Sequence, residues 1–430
     1  QGNFGSDGIV GPHHEKEGSF YTIKQLWSPV QIMNTSVDKQ FDGKFSVENR
    51  YDYLNLNTCR FLWKQVKFPT ATDASNTTAQ VLKQGEVQGS DVAAHSAGVL
   101  DIKTTILPDA DALFLTAIDR YGHELWRWTF PVNKLNQANE VLSPLSNKVT
   151  STETENELTV KAKNHTFIFS KKDGQLKGVS VNNRKISFAN GPRFIGARRA
   201  DRSLDQFYNH DDEKAKEKDR TYSEFPDAAV FTKLDVKEDG GNLIVTANYK
   251  LGNLDKAQWT INPSGEAVLD YTYNFSGVVD LMGICFDYPE DQVISKRWLG
   301  AGPYRVWQNR IHGTQYDVWE NDYNDPIPGE TFTYPEFKGY FGSVSWMNIR
   351  TKEGTISLTN ETPDAYIGVY QPRDGRDRLL YTLPESGISV LNVIPPVRNK
   401  VNSTDLCGPS SQPKWVNGPQ SGRIIFRFME

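Results

Sequence analysis

The spacing of apolar residues changes its period early in the chain. Phe20, Ile23 and Trp27 recur at three- to four-residue intervals, which predicts a helix with one apolar face. Ser19 stands where it can cap that helix, and Pro29 stops it. Before it runs QGNFGSDGIVGPHHEKEG, a Gly-rich stretch with no strand long enough to found a domain. A lone amphipathic helix must bury its stripe against a partner. The segment therefore reads as the tail of something larger.

From Pro29 the period is two. In KFSVENRYDYL, residues Phe45, Val47, Asn49, Tyr51 and Tyr53 share one face of a half-buried strand. CRFLWKQVKF, AQVLKQGEV, GVLDIKT, ALFLTAIDR and ELWRWTF follow at short intervals with turn residues between. This pattern predicts a β-sandwich of immunoglobulin type. NKLNQANEVLSPLSNK is polar and holds a proline, so it reads as a linker with a boundary near residue 147. Beyond it, HTFIFSKKDGQLKGVSVNNRKISF reads as three strands joined by an Asp-Gly and an Asn-Asn turn. Leu243, Val245, Ala247, Tyr249 and Leu251 alternate, as do Ala267, Leu269, Tyr271, Tyr273 and Phe275. No long helical pattern follows residue 30, apart from the charged DDEKAKEKDR, where a solvated loop or short helix is the default. An antiparallel meander without βαβ units implies one large sandwich of two extended sheets. The expected fold class is all-β, with one short N-terminal helix.

Composition narrows the function. Of the residues, 37% are hydrophobic and 23% charged, ordinary for a globular chain, while aromatics reach 12%. In a β-rich chain most of those rings pack in sheets; exposed ones suit the apolar face of a sugar. The net charge of −5 gives no basic face for nucleic acid. No apolar run nears the roughly 20 residues of a membrane span. The chain opens on Gln1 without a signal-peptide pattern, as expected of a processed or shortened N-terminus. Cys59, Cys285 and Cys407 are far apart and show no CxxC, so buried or idle thiols are expected rather than a disulfide framework or zinc site. No metal or cofactor is implied. Six Asn-x-Ser/Thr triplets arise readily in a chain this rich in Asn, Ser and Thr, and do not establish glycosylation.

The strongest catalytic motifs, GxSxG, the P-loop, GxGxxG and HExxH, do not occur. Weaker clusters remain. NHDDE at 209–213 reads more plainly as a polar loop than as a metal or acid/base site, because neighbours on a strand point to opposite faces. GARRADRSLDQFY divides evenly between salt-bridged packing and a functional loop. RDGRDR is a polar turn. WLGAGPYRVWQNRIH stands out: a strand ends in Gly-x-Gly-Pro, and Tyr304, Trp307, Arg310, His312, Tyr316 and Trp319 follow closely. That set suits sugar stacking and hydroxyl recognition, and equally a packed β corner.

WLGAGPYRVWQNR resembles the GxGP segment in the large terminal domain of bacterial β-galactosidases of glycoside hydrolase family 2. EFKGYFGSVSWMNIRTKEGTISL resembles the strand pair after it, and NGPRFIGARRADRS the family's arginine-rich segment. FSVENRYDYLNLNTCRFLWKQV resembles the preceding immunoglobulin-like domain, and DGIVGPHHEKEGSFYTIKQLWSPV the last loop and helix of the catalytic TIM barrel. All five occur in the family's order. The resemblance implies three parts: residues 1–28 as the end of a barrel, 29–146 as an immunoglobulin-like sandwich, and 147–430 as a galactose-mutarotase-like supersandwich, the β-galactosidase small-chain domain.

It also implies that the two catalytic glutamates of retaining hydrolysis lie upstream. The chain is then expected to hold no catalytic pair and to be inactive alone, with the parent's barrel and N-terminal domains as partners and a β-galactoside or related glycan as ligand. The family's mobile loop at the active-site mouth would fall near Asp205, Tyr208 and His210. In some members a tryptophan near the C-terminus stacks on the sugar; aligning the ends places Cys407 near that position, and Trp415, eight residues on, is the candidate substitute. The Arg-Ala-Pro pattern is altered to Arg198-Arg199-Ala200, so the resemblance does not by itself imply galactoside specificity, and another β-linked sugar stays open. The candidate carbohydrate contacts are Arg198, Arg199, Asp205, Tyr208, His210, Trp307, Arg310, His312 and Trp415. A periplasmic or secreted location follows from the resemblance alone. Two other functions remain open: a stand-alone carbohydrate-binding module, and a mutarotase-like epimerase drawing on His165, His210 or His312.

Overall fold

The structure is a computed structural model that describes residues 9–10, 14, 16, 18–73, 78–132, 148–199, 222–322, 339–369, 384, 386–396 and 408–430. The chain is all-β, with one α-helix among these residues, Gly18–Leu26. Every ladder between the described strands is antiparallel. Among the described residues four sheets form, of three, four, nine and ten strands.

The three- and four-stranded sheets, drawn from residues 30–131, face each other as a small sandwich. Phe45, Val47, Phe61, Leu100, Leu113 and Leu115 are buried between them. Alternation in the first long strand stops earlier than its pattern predicts. The strand is Lys44–Asn49; Tyr51 is half-buried and Tyr53 is 94% exposed. Asn49 explains the break. Its buried amide donates to the carbonyls of Leu54 and Val92, and its side-chain oxygen accepts from Tyr51 N–H. These bonds satisfy a polar group inside the core and turn the chain out of the sheet.

The ten- and nine-stranded sheets form the large sandwich. The predicted hairpins appear as His165–Ser170, Leu176–Val181 and Arg184–Ile186, with Asn182 and Asn183 both at positive φ in the last turn, as two-residue hairpins favour. Leu243, Val245 and Ala247 on Asn242–Lys250 point inward, while Leu251 lies past the strand's end and is exposed. Ala267, Leu269, Tyr271, Tyr273 and Phe275 on Ala267–Val279 are all buried. The core centres on rings: Phe188 stacks on Phe286, and Trp259, Phe426 and Phe428 close around them.

The two sandwiches meet on their outer faces. Val66, Phe68, Ala112 and Phe114 of the small one pack on Leu299 and Trp346 of the large one. Trp346 Nε1 donates to Pro69 O at 3.0 Å, Asn348 Nδ2 to Ala71 O at 2.7 Å, and Arg127 pairs with Asp317 at 2.9 Å. The segment predicted as a linker lies at 133–147, outside the described residues.

Candidate functional site

The stretch 298–312 begins on strand Val293–Gly302 of the nine-stranded sheet. Its glycines answer to packing. A Cβ on Gly302 would strike the Trp319 ring, and one on Gly300 would press on the Gly342–Val344 backbone. The Trp319 indole N–H reaches the carbonyls of Gly300 and Gln315. After the cis Gly302–Pro303 bond the chain crosses to the other sheet. Val306 and Trp307 land on its outer face, where Ile195, Ala197, Leu281, Cys285, Leu391 and Ile394 form a second apolar layer. Val306 exchanges backbone hydrogen bonds with Tyr340. The Trp307 ring, 3% exposed, meets Tyr340 edge-on at 5.5 Å.

This crossing segment also holds the N-terminal helix. The Tyr304 ring packs on Tyr21 at 5.1 Å, and its hydroxyl donates to Lys16 O. Burial, reinforced by Tyr21, pushes that hydroxyl's pKa well above its ordinary value. Thr22 Oγ1 donates to His312 O at 2.9 Å, and Gly313 N–H donates to Gln25 Oε1 at 2.6 Å. Lys24 pairs with Glu124 of the small sandwich at 2.8 Å. The helix thus sits at the seam between the sandwiches. It begins at Gly18, so Ser19 lies within its first turn rather than at the predicted cap. Trp27, part of the predicted stripe, is 76% exposed, with Leu26 exposed beside it.

The same segment gathers the chain's C-terminal part. Gln308 N–H donates to Pro395 O, and its side-chain amide to the carbonyls of Ser410 and Gln412. Asn309 donates to Ser411 Oγ. Three residues past Gln412, Trp415 pairs with Val278 and is 70% exposed. Asp280 N–H donates to Ala197 O, which brings the strand carrying Arg198 to the same end of the sandwich. Arg198 is half-buried opposite Ser223; Arg199 pairs through its backbone with Tyr222. Arg310 and His312 are exposed. This rim offers three cationic or polar heads, Arg198, Arg310 and His312, and the Trp415 indole face, groups that can bind hydroxyls and stack on a sugar. Asp205, Tyr208, His210, the NHDDE and RDGRDR clusters, DDEKAKEKDR and Cys407 lie outside the described residues.

Of the epimerase candidates, His165 hydrogen-bonds Phe428 O at 2.8 Å and stacks on Phe167. Cys59 and Cys285 are buried thiols. Burial pushes the Cys285 thiol up to about 11, against the opposing pull of Arg193. Among the described residues no group of three or more Asp, Glu, His or Cys side chains is placed to hold a metal ion. No helix among them is long and apolar enough to cross a membrane.

These features define an all-β protein of two joined sandwiches with a docked helix. Residues 161–393 match the family described as beta galactosidase small chain; the match spans more than half of the chain, and the chain belongs to that family. It therefore carries a sugar-related domain. No curated protein matches it. Among solved structures, galactose 1-epimerase from Lactobacillus acidophilus NCFM is similar at 10% identity and a TM-score of 0.37, covering 66% of this chain and 98% of that one. An aldose epimerase homologue from C. elegans is similar at 8% identity and a TM-score of 0.31, covering 65% and 99%. Likenesses this distant carry no argument about activity.

The helix contacts had no local signal. Thr22 and His312 are 290 residues apart, and the polar residues Thr22 and Gln25 look like ordinary solvent-facing positions.

Proposed function

We propose that the chain is the C-terminal portion of a family 2, β-galactosidase-like glycosidase, contributing support and rim loops rather than the catalytic carboxylates. Under this reading residues 1–28 end a catalytic barrel, 29–146 are an immunoglobulin-like sandwich, and 147–430 are a galactose-mutarotase-like supersandwich. The barrel and N-terminal domains of the parent are its partners. The observation that carries the reading is the clamped helix. Tyr304, His312 and Gly313 hold one side of Gly18–Leu26, while Leu26 and Trp27 stay exposed. A helix so fixed, with apolar side chains uncovered at its end, suits contact with a further body.

Arg198, Arg310, His312 and Trp415 of the rim are then the contacts for a β-galactoside or related glycan, and the family resemblance adds Arg199, Asp205, Tyr208 and His210 as further contacts. Trp307, enclosed against Tyr340, serves that rim by fixing the segment that carries Arg310 and His312. The test is hydrolysis of a nitrophenyl β-galactoside by the purified chain. No nitrophenol release is expected; release above that of the heat-denatured chain would overturn the reading.

A further inference from the structure

A groove on the nine-stranded sheet, away from this rim, has a lining that the proposed function does not use. Its floor is two rows of side chains on one face. Lys256 stands opposite Thr272, and Thr272 opposite Ser421. Two residues along, on the same face, Asp270 stands opposite Arg423. Strand Gly354–Asn360 ends opposite Ile424, so among the described residues its ladder with the neighbouring strand stops just short of Arg423, and that strand runs on toward Lys414 without it. There the chain rises as a wall, Glu361 to Pro363, along one side of an open groove of about 350 Å³. That lies within the roughly 300–1,000 Å³ of small-molecule clefts.

The wall is tied down. Glu361 N–H donates to Arg423 O, and Thr362 Oγ1 bonds both the N–H and the carbonyl of Arg423. The guanidinium in turn orients both carboxylates: Nη1 reaches the two Asp270 oxygens at 2.9 and 3.0 Å, and Nε reaches Glu361 at 3.0 Å. A carboxylate so held keeps acceptor positions in hand. Lys256, Thr272 and Ser421 form a row of donors and hydroxyls beside it. Two cations and two carboxylates balance, so the lining gives no net attraction to an anion or a cation. Hydroxyl groups that donate and accept at once satisfy such a surface.

We infer that this groove binds one unit of a neutral, polyhydroxylated ligand, a monosaccharide or the end of an oligosaccharide, at a site separate from the Arg310–Trp415 rim. The inference rests on the groove's own geometry and stands whether or not the chain belongs to a glycosidase.

The test is NMR of the deuterated chain titrated with D-galactose and D-glucose, with inorganic phosphate and putrescine as charged probes. Saturable shifts are expected at residues 256, 270–272, 361 and 421–423 with at least one sugar. The Thr272→Val/Ser421→Ala double variant removes two hydroxyls without disturbing Arg423, and should bind about tenfold more weakly. Trp415→Ala should leave these shifts unchanged, which separates the groove from the rim. Absence of saturable sugar shifts here, equal binding by the double variant, or preferential response to phosphate or putrescine would overturn the assignment.

Discussion

The backbone N–H of Gly313 donates to the side-chain oxygen of Gln25 at 2.6 Å, joining a loop of the large sandwich to the N-terminal helix. Gly313 is at φ 87°, and a Cβ there would lie 2.5 Å from Thr22 N and 2.8 Å from Tyr21 C. Backbone conformation and close approach both require glycine at this position. Gly313→Ala is expected to destabilise the chain by about 1–3 kcal/mol. Denaturant unfolding checks the size, and early protease cleavage near the helix checks the place.

The two sandwiches are predicted to unfold together because aromatic packing and buried hydrogen bonds join them. Trp346→Phe keeps most of the ring but leaves Pro69 O without its indole donor, at a cost of about 1–2 kcal/mol. Phe114→Ala opens the shared apolar layer and should cost about 3 kcal/mol or more. Calorimetry should show one transition in the parent chain and a lower or divided one in Phe114→Ala.

Asp287 gives the pH dependence. Burial pushes its carboxyl upward, but hydrogen bonds from Arg193 and Asn190 and the Arg193 charge outweigh this and hold it below the ordinary carboxylate value. A depressed folded-state pKa contributes stability above the unfolded value of about 3.9, and loses it as pH falls through the folded value. The pair is partly exposed, so Asp287→Asn should cost only about 0.5–1 kcal/mol at neutral pH. The gap between variant and parent should close as pH falls through the depressed folded-state value of Asp287.

Cys285 should resist alkylation. It is 2% exposed, and its thiol is raised to about 11, so little thiolate exists near pH 8 and little reagent reaches it. In a Cys407→Ser background, iodoacetamide should label position 285 slowly in the native chain and rapidly in urea. Equal rates would show that the thiol is not enclosed.

The strands were legible where one face is buried along their whole length. Ala267 to Phe275 alternates without interruption because both neighbouring strands continue beside it. Legibility failed where a polar side chain redirected the backbone, as Asn49 does before Tyr53. It failed again for Trp307. An indole among arginines reads alike as a sugar platform or a buried corner, and only the apolar outer face of the ten-stranded sheet, with Ile195 and Leu391, distinguishes them. The sugar-sized groove was invisible because Lys256, Asp270, Glu361 and Arg423 come from four separate segments, and their meeting depends on strand register.

That Tyr304–Gly313 anchors the N-terminal helix is tested most directly by amide hydrogen exchange on a Thr22→Val/Gln25→Met variant, which removes two polar ties without touching either core. Faster exchange is expected in Gly18–Leu26 and at Gly313, with protection of the Ile284 and Phe426 strands unchanged. Unaltered protection of the helix would contradict the clamp, and with it the observation on which the supporting role rests.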